Sequence, residues 1–120
     1  MIENKLPERF LDFAAKIIKL ALKLNKTSVG RHIGNQLMRS GTSAGANYEE
    51  AYGAESRADF THKLQVVFKE LKESLFWLKL IKRTDLFTSE DELLNFLLNE
   101  SQELTNIIGK SVVTTKNKYK

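Results

Sequence analysis

The sequence has no cysteine, a single proline and only six glycines among its 120 residues. Without cysteine it can form neither disulfides nor thiolate metal sites, and this composition fits a reducing compartment. The shortage of proline and glycine leaves few residues that favour turns, and no segment alternates polar and apolar residues as a strand does. The sequence therefore predicts long helices joined by short connections.

Long apolar runs are missing as well. The first residues, MIENKLPERF, lack the apolar centre of a signal peptide, and no run is long enough to cross a bilayer. We therefore expect a cytoplasmic protein that makes no membrane contact. The formal net charge of +4 permits a nucleic acid or an acidic partner without requiring one. A chain of this length suits one compact domain that needs no structural metal.

Apolar residues recur at intervals of three and four in three segments, which predicts helices near 7–25, 57–83 and 89–113. Each segment carries a start signal. Pro7 suits a first helical turn, and Ser56 with Asp59 has the spacing of a capping box, as does Ser89 with Glu92. The polar tail TTKNKYK is expected to fray.

The stretch RSGTSAGANYEEA, residues 39–51, invites three interpretations. A phosphate-binding loop needs GxxxxGK[ST] after a strand, and neither the lysine nor the strand is present. A flexible linker is excluded because apolar and aromatic residues continue through the stretch. A helix fits best, since its small and apolar residues fall on one continuous seam, formed by Ile33, Leu37, Ser40, Ala44, Asn47, Ala51 and Ala54.

This seam predicts a helix over 29–54, which completes an all-α, antiparallel up-down four-helix bundle spanning 1–120 as a single domain. Gly41 and Gly45 would let a neighbouring backbone approach closely. We expect large residues such as Phe13, Phe60 and Trp77 to fill the space that the small residues leave.

The segment QLMRSGTSAGANYEEAYGAESRADFTHKL, continuing into KELKESLFWLKLI, resembles the proteins encoded in intervening sequences of bacterial 23S ribosomal RNA genes. The family pattern is present as Arg39-Ser40, Asn47, Glu50 and Arg57. The sequence departs from it at Gly45, where the family often has proline. The resemblance implies an oligomeric four-helix bundle, with a pentamer as one arrangement and a poorly defined molecular role. An accessory protein of diversity-generating retroelements, associated with nucleic acid and a reverse transcriptase, looks like the same fold.

Polar residues on the helices have two interpretations. Asn47 and Glu50 lie one turn apart, either as a binding or catalytic pair or as part of a buried network that fixes helix register. The network, with Ser40, Ser74 or Ser101 in reach of Asn47, is the favoured interpretation. Asp59 and His62 have metal-ligand spacing, but a bundle metal site needs ligands from further helices. We therefore expect no metal, no cofactor and no enzymatic activity.

Two basic faces are the candidate nucleic-acid sites. They comprise Arg9, Lys16, Lys19, Lys23 and Lys26 on the first helix, and Lys69, Lys72, Lys79 and Arg83 on the third. Such faces are either solvated or contact phosphates. We predict weak RNA or DNA binding through phosphates, strengthened when an oligomer repeats the faces. Base stacking is not expected, because few exposed aromatic residues interleave with the lysines. The alternative is an oligomeric scaffold that binds a protein partner.

The first helix is more apolar than one buried seam requires. Leu11, Ile18 and Leu22 lie outside the seam, and Phe76 with Trp77 adds apolar surface on the third helix. Soluble monomers rarely expose a large apolar patch. These five residues therefore predict a homo-oligomer interface.

Overall fold

The structure, a computed structural model, describes residues 5–87 and 91–118. All regular secondary structure in those residues is helical, and the prediction of an all-α fold with four helices is confirmed. The stretch 39–51 lies inside the second helix. No helix in the described part of the chain is long and apolar enough to cross a membrane. The helices are α1 (Leu6–Lys23), α2 (Ser28–Tyr52), α3 (Arg57–Arg83) and α4 (Glu92–Lys118).

Side-chain caps begin three of the helices. The Thr27 hydroxyl accepts a hydrogen bond from the Gly30 N–H at 2.9 Å, which starts α2. Ser56 accepts from the Asp59 N–H at 3.1 Å, which starts α3. Each hydroxyl satisfies an N–H group that the first helical turn leaves without a backbone partner. At the start of α4 Asp91 is the acceptor, and the predicted Ser89 cap lies outside the described residues.

The C-terminal helix is longer than its polar sequence predicts. It continues to Lys118, so the expected fraying from Thr114 onward is wrong for the part of the tail that the structure describes. Val112 and Thr115 are buried, and the Thr115 hydroxyl donates to the Ser111 carbonyl one turn earlier at 2.8 Å. That internal bond lets a polar residue pack against the bundle. Tyr119 and Lys120 lie outside the described residues.

The helices pack as neighbours in chain order, and α1 also contacts α4, which closes the bundle. The α1–α4 interface is the thinnest of the four, and in the described residues α1 and α3 make no close backbone contact. Burying a large apolar side chain contributes about 1.5–3 kcal/mol, so the fully buried set dominates stability. That set is Phe10, Phe13, Ile17, Leu20, Leu37, Leu71, Leu78, Ile81, Leu94, Leu97, Leu104 and Ile108.

Gly34, Gly41 and Gly45 of α2 face α1. A Cβ at position 41 would lie 2.9 Å from Cγ2 of Ile17, and a Cβ at position 45 would lie 3.6 Å from Cβ of Phe10. At these two glycines the neighbours are thus Ile17 and Phe10 instead of Phe13, Phe60 or Trp77, and for the small residues of the seam itself the expectation stays a prediction. The glycines lie at the edge of the α2 seam rather than at its centre, so they meet the adjacent helix.

The seam of α2 shifts by one residue along its length. Ile33, Leu37, Ala44 and Ala51 are buried as predicted, as is Ser40, but Asn47 is only half-buried. Tyr48 is buried in its place, and its ring stacks on Phe10 with a centroid distance of 4.6 Å. A strict 3.5-residue repeat drifts by about 20° per heptad around a straight helix. Ala54 lies beyond the end of α2.

Candidate nucleic-acid interface

Arg9, the first cation of the α1 basic face, is bound by two acids of α4. Its Nε donates to Glu100 at 3.0 Å, and its Nη2 donates to Glu100 at 2.6 Å and to Glu103 at 2.9 Å. These hydrogen bonds raise the pKa of the Arg9 guanidinium above its ordinary value, with the Glu100 bond as the main cause. The charge of Arg9 is therefore neutralised by acids of the same protein.

Two further cations of this face are also engaged. Lys16 forms an ion pair with Asp12 at 2.6 Å and lies 4.6 Å from the ring centroid of Phe96. Lys23 binds Asp91 at 3.1 Å. Of the predicted five residues, only Lys19 and Lys26 are exposed without an ion pair among the described residues. The α1 basic face borders the α1–α4 interface, and much of its charge is neutralised there.

Asp91 caps the first turn of α4 and pairs with Lys23 of α1, and both interactions make the stability of the fold depend on pH. Its carboxylate accepts from the Leu94 N–H at 2.9 Å, and this bond, aided by Lys23, lowers the pKa of Asp91 below its ordinary 3.8. The unfolded state then binds the proton more readily, so the stabilisation is present above pH 3.8 and is lost as pH falls through the lower folded value.

We expect Asp91→Asn to preserve the cap and remove the charge. Near neutral pH the variant should be less stable than the parent by about 0.5–1 kcal/mol. The difference should shrink as the pH falls through the folded-state pKa of Asp91, because both side chains are then uncharged. Denaturant unfolding at several pH values measures this difference, and a difference that stays constant down to the lowest pH would contradict the assignment.

The basic residues of α3 are arranged differently. Lys69, Lys72, Lys79 and Arg83 are all exposed, and none of them forms an ion pair within residues 5–87 and 91–118. Their spacing of three, seven and four residues places them on one side of the helix. Fourteen residues at 1.5 Å each give a row about 21 Å long. We call this row the α3 basic face.

An aromatic ring lies in the middle of the α3 basic face. Phe76 is 56% exposed, and its ring contacts that of Trp77 at a centroid distance of 5.1 Å and an interplanar angle of 74°. Phe76, Lys79, Leu80 and Arg83 line a shallow cavity of about 170 Å³. The spacing of 72, 76, 79 and 83 predicts that Phe76 shares a face with these cations, although the sequence-based prediction assigns the ring to an oligomer interface and includes no base stacking.

The apolar residues predicted to form an oligomer interface lie in two places. Leu11 and Leu22 are each 66% exposed and Ile18 is 39% exposed, all on α1. Phe76 is exposed on α3 and Trp77 is half-buried there. Because α1 and α3 make no close backbone contact in the described residues, the expected single patch is wrong, and the two groups form separate surfaces.

Comparison with known proteins gives the family. The family of 23S rRNA-intervening sequence proteins matches residues 3–110. The chain belongs to this family. It is also similar to a crystal structure of a protein of unknown function from the S23 ribosomal protein family of Bacteroides thetaiotaomicron. That protein is 36% identical, with a TM-score of 0.80 over 88% of this chain and 96% of the other. No match was found among curated proteins.

In this 23S rRNA-intervening sequence family protein, Arg39 and Ser40 of the family motif connect α2 to α3. Arg39 donates to Glu70 at 3.2 Å and also binds Glu73, whose pKa it lowers below the ordinary value. The buried hydroxyls of Ser40 and Ser74 share a hydrogen bond of 2.8 Å. Both contacts cross the α2–α3 interface, so these motif residues fix how the two helices pack.

Asn47 and Glu50 of the family motif do not form the predicted buried network. Asn47 is half-buried, and its Nδ2 donates to the Ser43 carbonyl at 2.9 Å and to the Ser43 hydroxyl at 3.1 Å on the same helix. Glu50 is exposed and accepts from Lys63 of α3 at 2.6 Å, which raises the pKa of Lys63. The interpretation that Asn47 bonds to Ser40, Ser74 or Ser101 is wrong, because the seam has rotated towards Tyr48.

The last motif residue, Arg57, and the candidate metal ligand Asp59 both lie at the start of α3. Arg57 is exposed at the first residue of α3, and the backbone N–H of Asp59 is held by the Ser56 cap. Nowhere in the described ranges do three His, Cys, Asp or Glu side chains gather as metal ligands would.

Proposed function

We propose that this family member is a non-enzymatic nucleic-acid-binding module that contacts phosphates through the α3 basic face. One observation carries the proposal. All four cations of this face are exposed and free of ion pairs in the described residues, whereas Arg9, Lys16 and Lys23 on α1 are held by acids. Lysine and arginine bind phosphates with release of counterions, which supplies affinity without reading the base sequence.

We also propose that the helices run up and down in an antiparallel bundle and that the protein is a homo-oligomer assembled through Leu11, Ile18 and Leu22. Short connections between consecutive packed helices support the first statement. The exposure of this apolar stripe supports the second. Assembly through α1 leaves the α3 basic face open in every copy, and repetition raises the effective affinity of weak phosphate contacts. The pentamer stays a prediction from the family resemblance.

Replacing Leu11 and Leu22 with glutamate is expected to dissociate the oligomer, because two charges would be buried at the interface without partners. Val29→Glu with Val113→Glu is the matched control, since those side chains are 59% and 58% exposed on other helices. Light scattering at micromolar concentration measures the mass. A monomeric parent, or equal dissociation of both variants, would exclude this interface.

Replacing Lys72, Lys79 and Arg83 with glutamine is expected to abolish most nucleic-acid binding. A gel-shift titration at several salt concentrations should show a salt slope smaller by about 2–3, since each lost phosphate contact contributes roughly 0.7–0.9. The control variant replaces Lys5, Lys110 and Lys116, which lie outside both basic faces, are exposed and make no ion pair within the described part of the chain. Both variants remove three positive charges and change the formal net charge from +4 to +1.

The two triple variants distinguish a located site from general attraction. Loss of binding only in the α3 variant supports the proposal. Equal loss in both variants would mean that net charge alone attracts the polyanion. If the parent protein retards neither RNA nor DNA at low salt, the proposal fails, and the scaffold that binds a protein partner becomes the better account.

A further inference from the structure

We infer that Phe76 stacks on an unpaired base, so that the α3 basic face takes single-stranded nucleic acid. The inference rests on the proposed phosphate contact. It adds base stacking as the reason why the face would prefer single strands to duplexes. It also revises the expectation, drawn from the sequence, that base stacking is absent.

Phe76 has the position that base stacking requires. Lys72 lies one turn before it, Lys79 one turn after it and Arg83 two turns after it on the same side of α3. At 1.5 Å per residue these cations lie about 6 Å, 4.5 Å and 10.5 Å from Phe76 along the helix axis. A strand whose phosphates bind the cations therefore passes over the ring. Grooves that bind single strands without sequence preference combine cations and aromatic rings in this way.

Phe76 lies against a neighbouring ring that has several partners of its own. Trp77 supports it by an edge contact, and the indole Nε1 of Trp77 donates to Glu73 at 3.2 Å. Glu73 is in turn bound by Arg39, and the His32 ring meets Trp77 edge-on at 6.1 Å. These contacts limit the movement of Phe76 while leaving more than half of it exposed. A side chain that is already ordered loses less conformational entropy when it binds.

The positive charge around Phe76 favours a polyanion over a second copy of this chain as the partner that covers the ring. A second copy of this chain that docked with the same face would bring four cations against four cations, and like charges opposed at an interface disfavour association. A polyanion neutralises them instead. In a duplex both faces of each base are covered by neighbouring bases, whereas an unpaired base has a free face for the ring.

The test compares three ligands of about twelve nucleotides, long enough to cover the whole α3 basic face. They are an oligothymidylate, an abasic strand with the same number of phosphates, and a duplex. The parent protein should bind oligothymidylate about tenfold more tightly than the abasic strand, since one stacked base is worth roughly 5- to 150-fold. Trp77, the single tryptophan of the sequence, lies beside Phe76. Its fluorescence should change when oligothymidylate binds, but not when the abasic strand or the duplex binds.

Phe76→Leu should lower the affinity for oligothymidylate about tenfold, to the level of the abasic strand, and leave binding of the abasic strand and the duplex unchanged. Phe96→Leu is the matched control, because Phe96 is 41% exposed on α4. If Phe76→Leu has no effect while the Lys72, Lys79 and Arg83 variant still loses binding, stacking is wrong and the proposed function stands. If no ligand binds the parent, both fail. A change of oligomer mass in Phe76→Leu, without base dependence, would assign the ring to contact between copies and overturn the inference.

Discussion

Gly41→Leu is expected to lower the free energy of unfolding by about 3 kcal/mol, the upper end of typical overpacking. A Cβ at this position would already lie 2.9 Å and 3.0 Å from the two γ-carbons of Ile17. Ile17 is fully buried, so it cannot turn out into solvent to make room. Leucine adds three further carbon atoms beyond Cβ and would force α1 away from α2. Chemical denaturation followed by circular dichroism measures the loss.

Gly45→Ala is the control for this substitution. Its Cβ would make an ordinary contact of 3.6 Å with Phe10, and glycine inside a helix costs about 1 kcal/mol relative to alanine. We therefore expect this variant to be as stable as the parent or more stable by up to about 1 kcal/mol. If Gly41→Leu unfolds at the same denaturant concentration as the parent, close approach of α1 at Gly41 is wrong.

Arg39→Met is expected to lower the free energy of unfolding by about 2–3 kcal/mol, because it leaves Glu70 without its cation. The Glu70 side chain is only 9% exposed, and among the described residues its Oε1 has no hydrogen-bond partner. Its Oε2 accepts from Arg39 at 3.2 Å. Removing one partner of a fully buried pair costs about 3–5 kcal/mol, and the half-exposed Arg39 places this pair below that range. Methionine keeps an apolar side chain like the stem of arginine, so the lost stability measures mainly the removed guanidinium charge.

A double-mutant cycle separates the stability cost of leaving the Glu70 carboxylate unpaired from the cost of losing the packing of Arg39. Glu70→Gln removes the carboxylate, and an amide needs no neighbouring cation. Arg39→Met should therefore cost less than about 1 kcal/mol in the Glu70→Gln background. Equal costs in both backgrounds, measured by the same denaturation experiment, would show that Glu70 does not depend on Arg39.

The helical nature of the small-residue stretch could be predicted because alanine and serine obey the same periodicity as leucine on a buried seam. Ser40 and Ala44 are indeed buried. The partner of Gly41 could not be predicted in the same way. Periodicity gives the angular position of a residue on its own helix, but the neighbour at that angle depends on how the helices are arranged in space. The drift that buries Tyr48 instead of Asn47 is likewise a property of the packed bundle.

The candidate site was partly predictable for a related reason. Spacing alone grouped the cations of each helix into a face. It could not show that Arg9 binds Glu100, 91 residues later in the chain, or that no cation of the α3 basic face forms an ion pair among the described residues. Ion pairs between distant segments leave no local pattern. The apolar surface expected at Phe76 is present, but its separation from Leu11 and Leu22 depends on how α1 and α3 are arranged in space and could not be read from spacing.

The thin α1–α4 interface determines where the bundle opens first. The ion pairs of Arg9 and Lys23 cross it near the surface, where salt screens their attraction. Partial unfolding begins where the fewest buried contacts hold a segment. We therefore expect the backbone amides of α1 to exchange with solvent faster than those of α2 and α3, and increasingly so as ionic strength rises. The salt that weakens phosphate binding thus also loosens the helix that carries the proposed assembly stripe.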